Sequence, residues 1–278
     1  MVSFSEIQHL KETSRNIRIN ILKSLVAAGS GHTGGSLGIT DIMTALYFHV
    51  MNHKPDKPGW EDRDRMVLSI GHVAPALYAT LAESGYFPLE ELKTLRQLNS
   101  RLQGHPGREH GLPGLELSAG SLGQGLSVAV GMALAAQADN KQHRIFCING
   151  DGELQEGSIW EAAMSAAHYK LDNLVSIVDR NKLQIDGPTS EVMNLEPLKE
   201  KWESFGWVVF ECEGNDMEHI IKTFSLALRA EDKPAVIIAR TTMGKGVPEI
   251  ENDFRWHGKP PAPEQLESFI EQLQNTPL

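Results

Sequence analysis

The stretch FCINGDGELQEG (146–157) ends an apolar run with Asp151 between two glycines, and Glu153 and Glu156 follow at once. Carboxylates crowded at the end of a buried strand repel one another, so something must compensate their charge. DRNKLQIDG (179–187) closes the next apolar run and carries Asn181, thirty residues after Asp151. If the two runs are neighbouring strands, about 5 Å apart, the carboxylate of Asp151 and the amide oxygen of Asn181 converge on one point. These are hard oxygen ligands suited to Mg2+ or Ca2+, and Mg2+ fills the rest of its octahedron with phosphate oxygens and water. Gly150 and Gly152 allow the backbone to approach a phosphate, and the N-terminus of a following helix favours an anion. The pattern points to a cation that also holds a diphosphate. Taken alone, GDG also fits a plain capped turn.

Four histidines sit in glycine-bordered loops: His32 in GSGHTGG, His72 in SIGHVAP, His105 in QGHPG and His257 in RWHGKP. Any one of them reads as an ordinary loop or core histidine. Four together suggest a site where imidazoles donate and accept hydrogen bonds near neutral pH, as a polyhydroxylated substrate requires.

The elements that must carry these groups are legible in the hydrophobic pattern. Residues 5–28 read as an amphipathic helix ending at Gly29, and 40–50 as a second helix with Thr40 as its N-cap. RMVLSI (65–70) is a short strand, and 121–138 open with glycines and continue as a small-residue helix. Residues 143–149, 158–170 and 173–179 form a strand, a helix and a strand, with Ile159, Ala162, Ala163 and Ala166 on one helical face. That unit gives a parallel strand pair. WVVFEC and AVIIARTT repeat the strand pattern around the helix MEHIIKTFSLALRA. Glycine and proline clusters at 54–59, 104–114 and 258–263 are loops. The expected fold is α/β, a doubly wound parallel sheet with helices on both faces, forming a single domain over residues 1–278. In such sheets ligands bind at the carboxyl ends of the strands, where Asp151 and Asn181 fall.

Composition narrows the function. The chain has 278 residues and a net charge of −10, with hydrophobic residues at 41% and charged residues at 22%, a globular balance. This net negative charge argues against non-specific nucleic-acid binding, because phosphate neutralisation needs a basic surface. Cys147 and Cys212 lie far apart in apolar segments and read as buried free thiols of a reducing compartment. The N-terminus lacks the pattern of a signal peptide, and the weakly polar run 127–138 is too short to cross a bilayer. The reading is a cytoplasmic protein without membrane or nucleic-acid partners.

GDG with an asparagine thirty residues downstream resembles the motif of thiamin-diphosphate enzymes. The resemblance implies that Asp151, Asn181 and the backbone carbonyl of Leu183 hold Mg2+, with Ca2+ or Mn2+ as substitutes. Lys182 stands where some members have a second asparagine, which is not a ligand. The histidine loops, together with GSLGQGLSVAVGMA and the IDG at 185–187, look like the N-terminal half of transketolase over residues 10 to 260. Thr33 and Ser121 depart from the family's prolines. The resemblance implies that Gly152 and His72 contact the diphosphate and that Gly120 and Leu122 lie against the cofactor, Leu122 near its aminopyrimidine. His32, His72, His105 and His257 would line the substrate channel, with His32 and His257 moving protons at the scissile bond. Glu156 and Glu161 match acids at the family's dimer contact. Glu153 has no such counterpart and reads as a first-turn helix acid.

Full-length members of the family are more than twice as long. The glutamate that activates the cofactor, and most of the groups that grip a sugar phosphate, belong to a later domain. The expectation is therefore the N-terminal subunit of a split transketolase in an α2β2 heterotetramer. A partner chain would carry the pyrimidine-binding and C-terminal domains. The reaction would transfer a two-carbon ketol unit from a ketose phosphate to an aldose phosphate. Pentose phosphates are the default substrates, and apulose phosphate or a sulfosugar are alternatives. Competing readings are the α subunit of a 2-oxoacid dehydrogenase, against which the histidine loops argue, and a non-catalytic cofactor-binding module. A nicotinamide dehydrogenase is disfavoured, because no GxGxxG follows a strand.

Overall fold

The computed structural model describes residues 2–276, so the expected domain span of 1–278 reaches past the described residues at both ends. Helix α1 (Phe4–Ala28) starts where the Ser3 hydroxyl accepts from the N–H of Glu6 and stops, as expected from the sequence, at Gly29 in the left-handed conformation. Two short helices follow, α2 (Thr33–Gly38) and α3 (Thr40–Ala45), and a π-helical turn continues over Leu46–Val50. Thr40 is not an N-cap. The helical path begins earlier, after His32, and Thr40 Oγ1 donates back to the carbonyl of Ser36 at 2.8 Å. The glycines of TGGSLG concealed this start, because intrinsic propensity argues against a helix that tertiary packing nonetheless enforces: every residue of α2 is buried.

Strand β1 (Arg65–Leu68) leads into α4 (Ala74–Glu83); α5 (Gly125–Ala138), β2 (Ile145–Gly150), α6 (Gly157–His168) and β3 (Leu174–Asp179) follow. A hairpin of β4 (Leu183–Gln184) and β5 (Gly187–Pro188) precedes α7 (Thr189–Val192) and α8 (Leu198–Ser204). The chain ends with β6 (Val208–Glu213), α9 (Met217–Ala227), β7 (Ala235–Arg240) and α10 (Leu266–Asn275).

The main sheet has the order β1-β2-β3-β7-β6, and every pairing in it is parallel. β2 and β3 are buried along nearly their whole length, as expected of parallel strands covered on both faces. Alternation along β2 divides the core. Phe146 and Ile148 pack among residues of α1, α3, α4 and α9, whereas Ile145 and Cys147 pack among residues of α5, α6 and α8. Ile159, Ala162, Ala163 and Ala166 form the buried face of α6, as their spacing requires. Cys147 and Cys212 are buried and free. No helix among the described residues is long and apolar enough to cross a membrane.

Candidate active site at the carboxyl end of the sheet

β2 and β3 are adjacent, with Gly150 opposite Asp179. Asp151 therefore begins the turn just beyond the sheet, and its N–H donates to the carbonyl of Asp179 at 3.1 Å. The Asp151 side chain is 2% exposed. Its Oδ2 accepts from Nη1 of Arg180 at 2.8 Å and from the N–H of Lys182 at 2.6 Å, while Oδ1 accepts from the N–H of Gly152 at 2.8 Å. Burial pushes its pKa up, and Arg180 opposes this only in part. Arg180 also reaches Thr189 Oγ1 at 2.9 Å and Glu196 at 2.8 Å.

Asn181 lies next to this pair. Its Nδ2 donates to Asp179 Oδ2 at 3.1 Å, and its Oδ1 accepts from the N–H of Leu183 at 2.9 Å. Asp179 also accepts from the hydroxyl of Thr241 and is fully enclosed; burial raises its pKa to about 7, with Asp151 adding to the shift. Pro188 stands opposite Leu183 in the hairpin and has no N–H to offer the Leu183 carbonyl.

The donor set fits a hard divalent cation. Asp151, Asn181 and the Leu183 carbonyl supply only oxygen, as Mg2+ prefers, and Asp151 Oδ1 and Asn181 Oδ1 each accept a single hydrogen bond, which leaves each a lone pair for a cation. A buried carboxylate whose ionised form is penalised by burial also calls for a second positive charge.

The four histidines, from four separate loops, come together. The His32 ring lies 5.1 Å from that of His72, 6.2 Å from that of His105 and 5.6 Å from that of His257, and His72 and His257 are 5.0 Å apart. His72 sits on the 3-10 turn Gly71–Val73 that precedes α4. Thr33, at one of the departures from the family pattern, is buried and donates to the carbonyl of Lys259 at 2.6 Å, fastening the His32 loop to the chain just after His257.

Burial is the main reason all four imidazoles are shifted toward the neutral form, His32 to about 4 and His72 to about 3. The neighbouring imidazoles and Arg96 add to the shift at His32. Nδ1 of His32 and Nδ1 of His257 are buried without a hydrogen-bond partner. Orphaned buried polar atoms are rare, and these two lie in a cluster that a hydroxylated ligand would satisfy.

The segment 119–123 borders the cluster. A Cβ on Gly71 would lie 2.8 Å from the backbone of Ala119, so glycine is required for this loop to pass beside His72. A Cβ on Gly120 would stand 3.7 Å from His105. Leu122 is 36% exposed, as an apolar contact for a bound ring would be.

Sequence reasoning did not single out Arg180, Asp179, Thr241 or Arg96. Arg180 could have been suspected as a basic residue set between Asp179 and Asn181. Thr241 follows a strand distant in sequence, and no local signal marks it. Glu153 is more than a first-turn acid: it is 2% exposed and accepts four hydrogen bonds. Glu156 and Glu161 are exposed.

Comparison with known proteins identifies the family. Residues 10–277 match the family described as transketolase, thiamine diphosphate binding domain. An apulose-4-phosphate transketolase subunit from Phocaeicola vulgatus is 45% identical over 96% of this chain and 95% of its own length. The 6-deoxy-6-sulfo-D-fructose transketolase subunit SqwG of a Clostridium species is 43% identical over 97% of this chain and 96% of its own length. The crystal structure of transketolase from Campylobacter jejuni superposes with a TM-score of 0.88 at 37% identity, covering 98% of this chain but 43% of that one. The chain thus spans nearly the whole of these single subunits and less than half of a full-length transketolase. It belongs to the transketolase family, within which it corresponds to the thiamine diphosphate-binding, N-terminal portion.

Proposed function

We propose that this chain is the cofactor-holding subunit of a two-chain transketolase. It would transfer a two-carbon ketol unit from a ketose phosphate to an aldose phosphate. The observation that carries the reading is the convergence of His32, His72, His105 and His257, with His72 just past the end of β1 and the buried Asp151 just past the end of its parallel neighbour β2. Family membership sets aside the 2-oxoacid dehydrogenase reading.

Thiamin diphosphate, when bound, supplies a nucleophilic thiazolium carbon that accepts the two-carbon unit. Asp151, Asn181 and the Leu183 carbonyl would hold the Mg2+ that anchors its diphosphate, with Gly152 and His72 against the phosphates. Ca2+ or Mn2+ would serve in the same oxygen set. Leu122 and Gly120 would pack against the rings. Neutral imidazoles can both donate and accept, so the cluster orients the hydroxyls of a ketose donor. His32 and His257, whose Nδ1 atoms have no protein partner, hold and release the proton at the carbonyl and hydroxyl oxygens where the carbon–carbon bond breaks.

The split-chain relatives support a separate partner chain carrying the pyrimidine-binding and C-terminal domains. Glu156 and Glu161 lie exposed at α6, as does Met164, which suits an interchain contact and an α2β2 assembly in the cytoplasm. Pentose phosphates are the first donors to try; apulose 4-phosphate and 6-deoxy-6-sulfofructose follow from the names of the relatives.

The test is a ketol-transfer assay with thiamin diphosphate and Mg2+. The chain is assayed alone and together with the protein encoded beside it, on each of these donors. Activity only in the mixture, abolished by Asp151→Ala, is the expected result. Activity of the chain alone would refute the two-chain assembly. Cofactor binding without transfer from any donor would favour a non-catalytic role.

A further inference from the structure

We infer that Glu153 is a positioning residue whose carboxylate anchors the loop at 119–125 against the ends of β1 and β2, setting the place of Gly120 and Leu122 in the cofactor pocket. This rests on the reading of that pocket as a thiamin diphosphate site.

Glu153 Oε1 accepts from the Ser69 hydroxyl and from the N–H of Gly123 at 2.7 Å. Its Oε2 accepts from Asn149 Nδ2 and from the N–H of Gly150, both at 3.1 Å. The network continues on either side: Ser69 Oγ accepts from the N–H of Gly125 at 3.1 Å, and Ser176 Oγ donates to Asn149 Oδ1 at 3.0 Å. One carboxylate thereby ties β1, β2 and β3 to the entry of α5. Gly125 must be glycine for this approach, since a Cβ there would fall 2.4 Å from Ser69. The Gly123 carbonyl is held from the other side by Ser158 Oγ at 3.0 Å. Both polar groups of the residue after Leu122 are therefore fixed by side chains of the same segment that carries Asp151. Glu153 touches no expected substrate or cofactor position; it acts through the loop.

A carboxylate is required because all four of its partners donate. Glutamine can turn its oxygen toward Ser69 and Gly123 or toward Asn149 and Gly150, never toward both. Its amide then faces a backbone N–H that has lost its acceptor.

The test uses the chain assembled with its partner chain and compares wild type, Glu153→Gln and Ser69→Ala. Thiamin diphosphate binding is measured by calorimetry at saturating Mg2+, and amide hydrogen exchange is followed across the chain. Glu153→Gln is expected to weaken cofactor binding about 10-fold to 100-fold and to speed exchange in 119–126 while β2 and β3 keep their protection. Ser69→Ala is expected to move both readouts the same way by a smaller factor. If folded Glu153→Gln binds cofactor as wild type does, or if exchange rises across the whole sheet rather than in the loop, the inference is overturned. Should Glu153→Gln fail to fold, Ser69→Ala decides by the same two readouts. Failure of the wild-type assembly to bind the cofactor overturns the pocket reading and this inference together; binding that neither variant alters overturns this inference alone.

Discussion

Asp151→Asn separates the two tasks that the structure gives to one side chain. In the wild type, Asp151 accepts three hydrogen bonds, two on the oxygen facing Arg180 and Lys182 and one on the oxygen facing Gly152. An asparagine can turn its oxygen to Arg180 and Lys182, so only the bond to Gly152 is lost. Arg180 does not become an unpaired buried charge, because Glu196 and Thr189 still accept from it. One hydrogen bond lost and one ion pair turned into a charge–dipole contact amount to about 2–3 kcal/mol. Removing a carboxylate that burial penalises returns part of this, leaving a net loss of about 1–2 kcal/mol. For a chain of this length that is a fall in Tm of roughly 2–8 °C, measured by calorimetry without cofactor. Cofactor binding should suffer far more. Losing even an outer partner of a metal site costs about 10-fold to 100-fold, so loss of a charged ligand should weaken Mg2+-dependent thiamin diphosphate binding by about 100-fold or more. A titration showing less than about a 10-fold loss would refute the assignment of Asp151 as a metal ligand. A fall in Tm well beyond roughly 10 °C would refute the claim that Glu196 and Thr189 keep Arg180 satisfied.

The histidine cluster should make the cofactor-free chain acid-sensitive. Unfolded imidazoles take up protons below about pH 6.5 that His32 resists down to about 4 and His72 to about 3, so stability falls as pH drops through this window. Denaturation midpoints between pH 7.5 and 4.5 should show the slope, and His72→Asn should flatten it. Asp179 shifts the opposite way: its folded pKa of about 7 means that stability present at low pH is lost as pH rises through 7. Asp179→Asn, with its amide toward Thr241 and its oxygen toward Asn181, should therefore melt higher than wild type at pH 8, and the difference should vanish near pH 4. Away from the site, Asp41 accepts two hydrogen bonds from buried Arg18 and others from Ser14 and Asn215. Asp41→Ala would strand that guanidinium and should cost about 3–5 kcal/mol in a denaturant titration.

Local chemistry and periodicity were enough to establish the layout of this protein. The long first helix could be read from its apolar spacing and its stop at Gly29, because a left-handed glycine acts within one turn. The strand–helix–strand unit around Asp151 was visible because its apolar residues repeat with the spacing of the elements. The four histidines could be marked as a set by their glycine-bordered loops. What the sequence could not supply was who meets whom across long separations. His32, His72, His105 and His257 become neighbours only because tertiary packing brings together four loops distant in sequence. Arg180 joins Asp151 because β2 and β3 pair in that register, and Thr241 reaches Asp179 because β7 lies beside β3. Glu153 looks in the sequence like one more acid in a crowded turn. Burial decides otherwise: enclosed and away from water, a carboxylate must collect donors from wherever the fold provides them, and here they come from two strands and a loop distant in sequence.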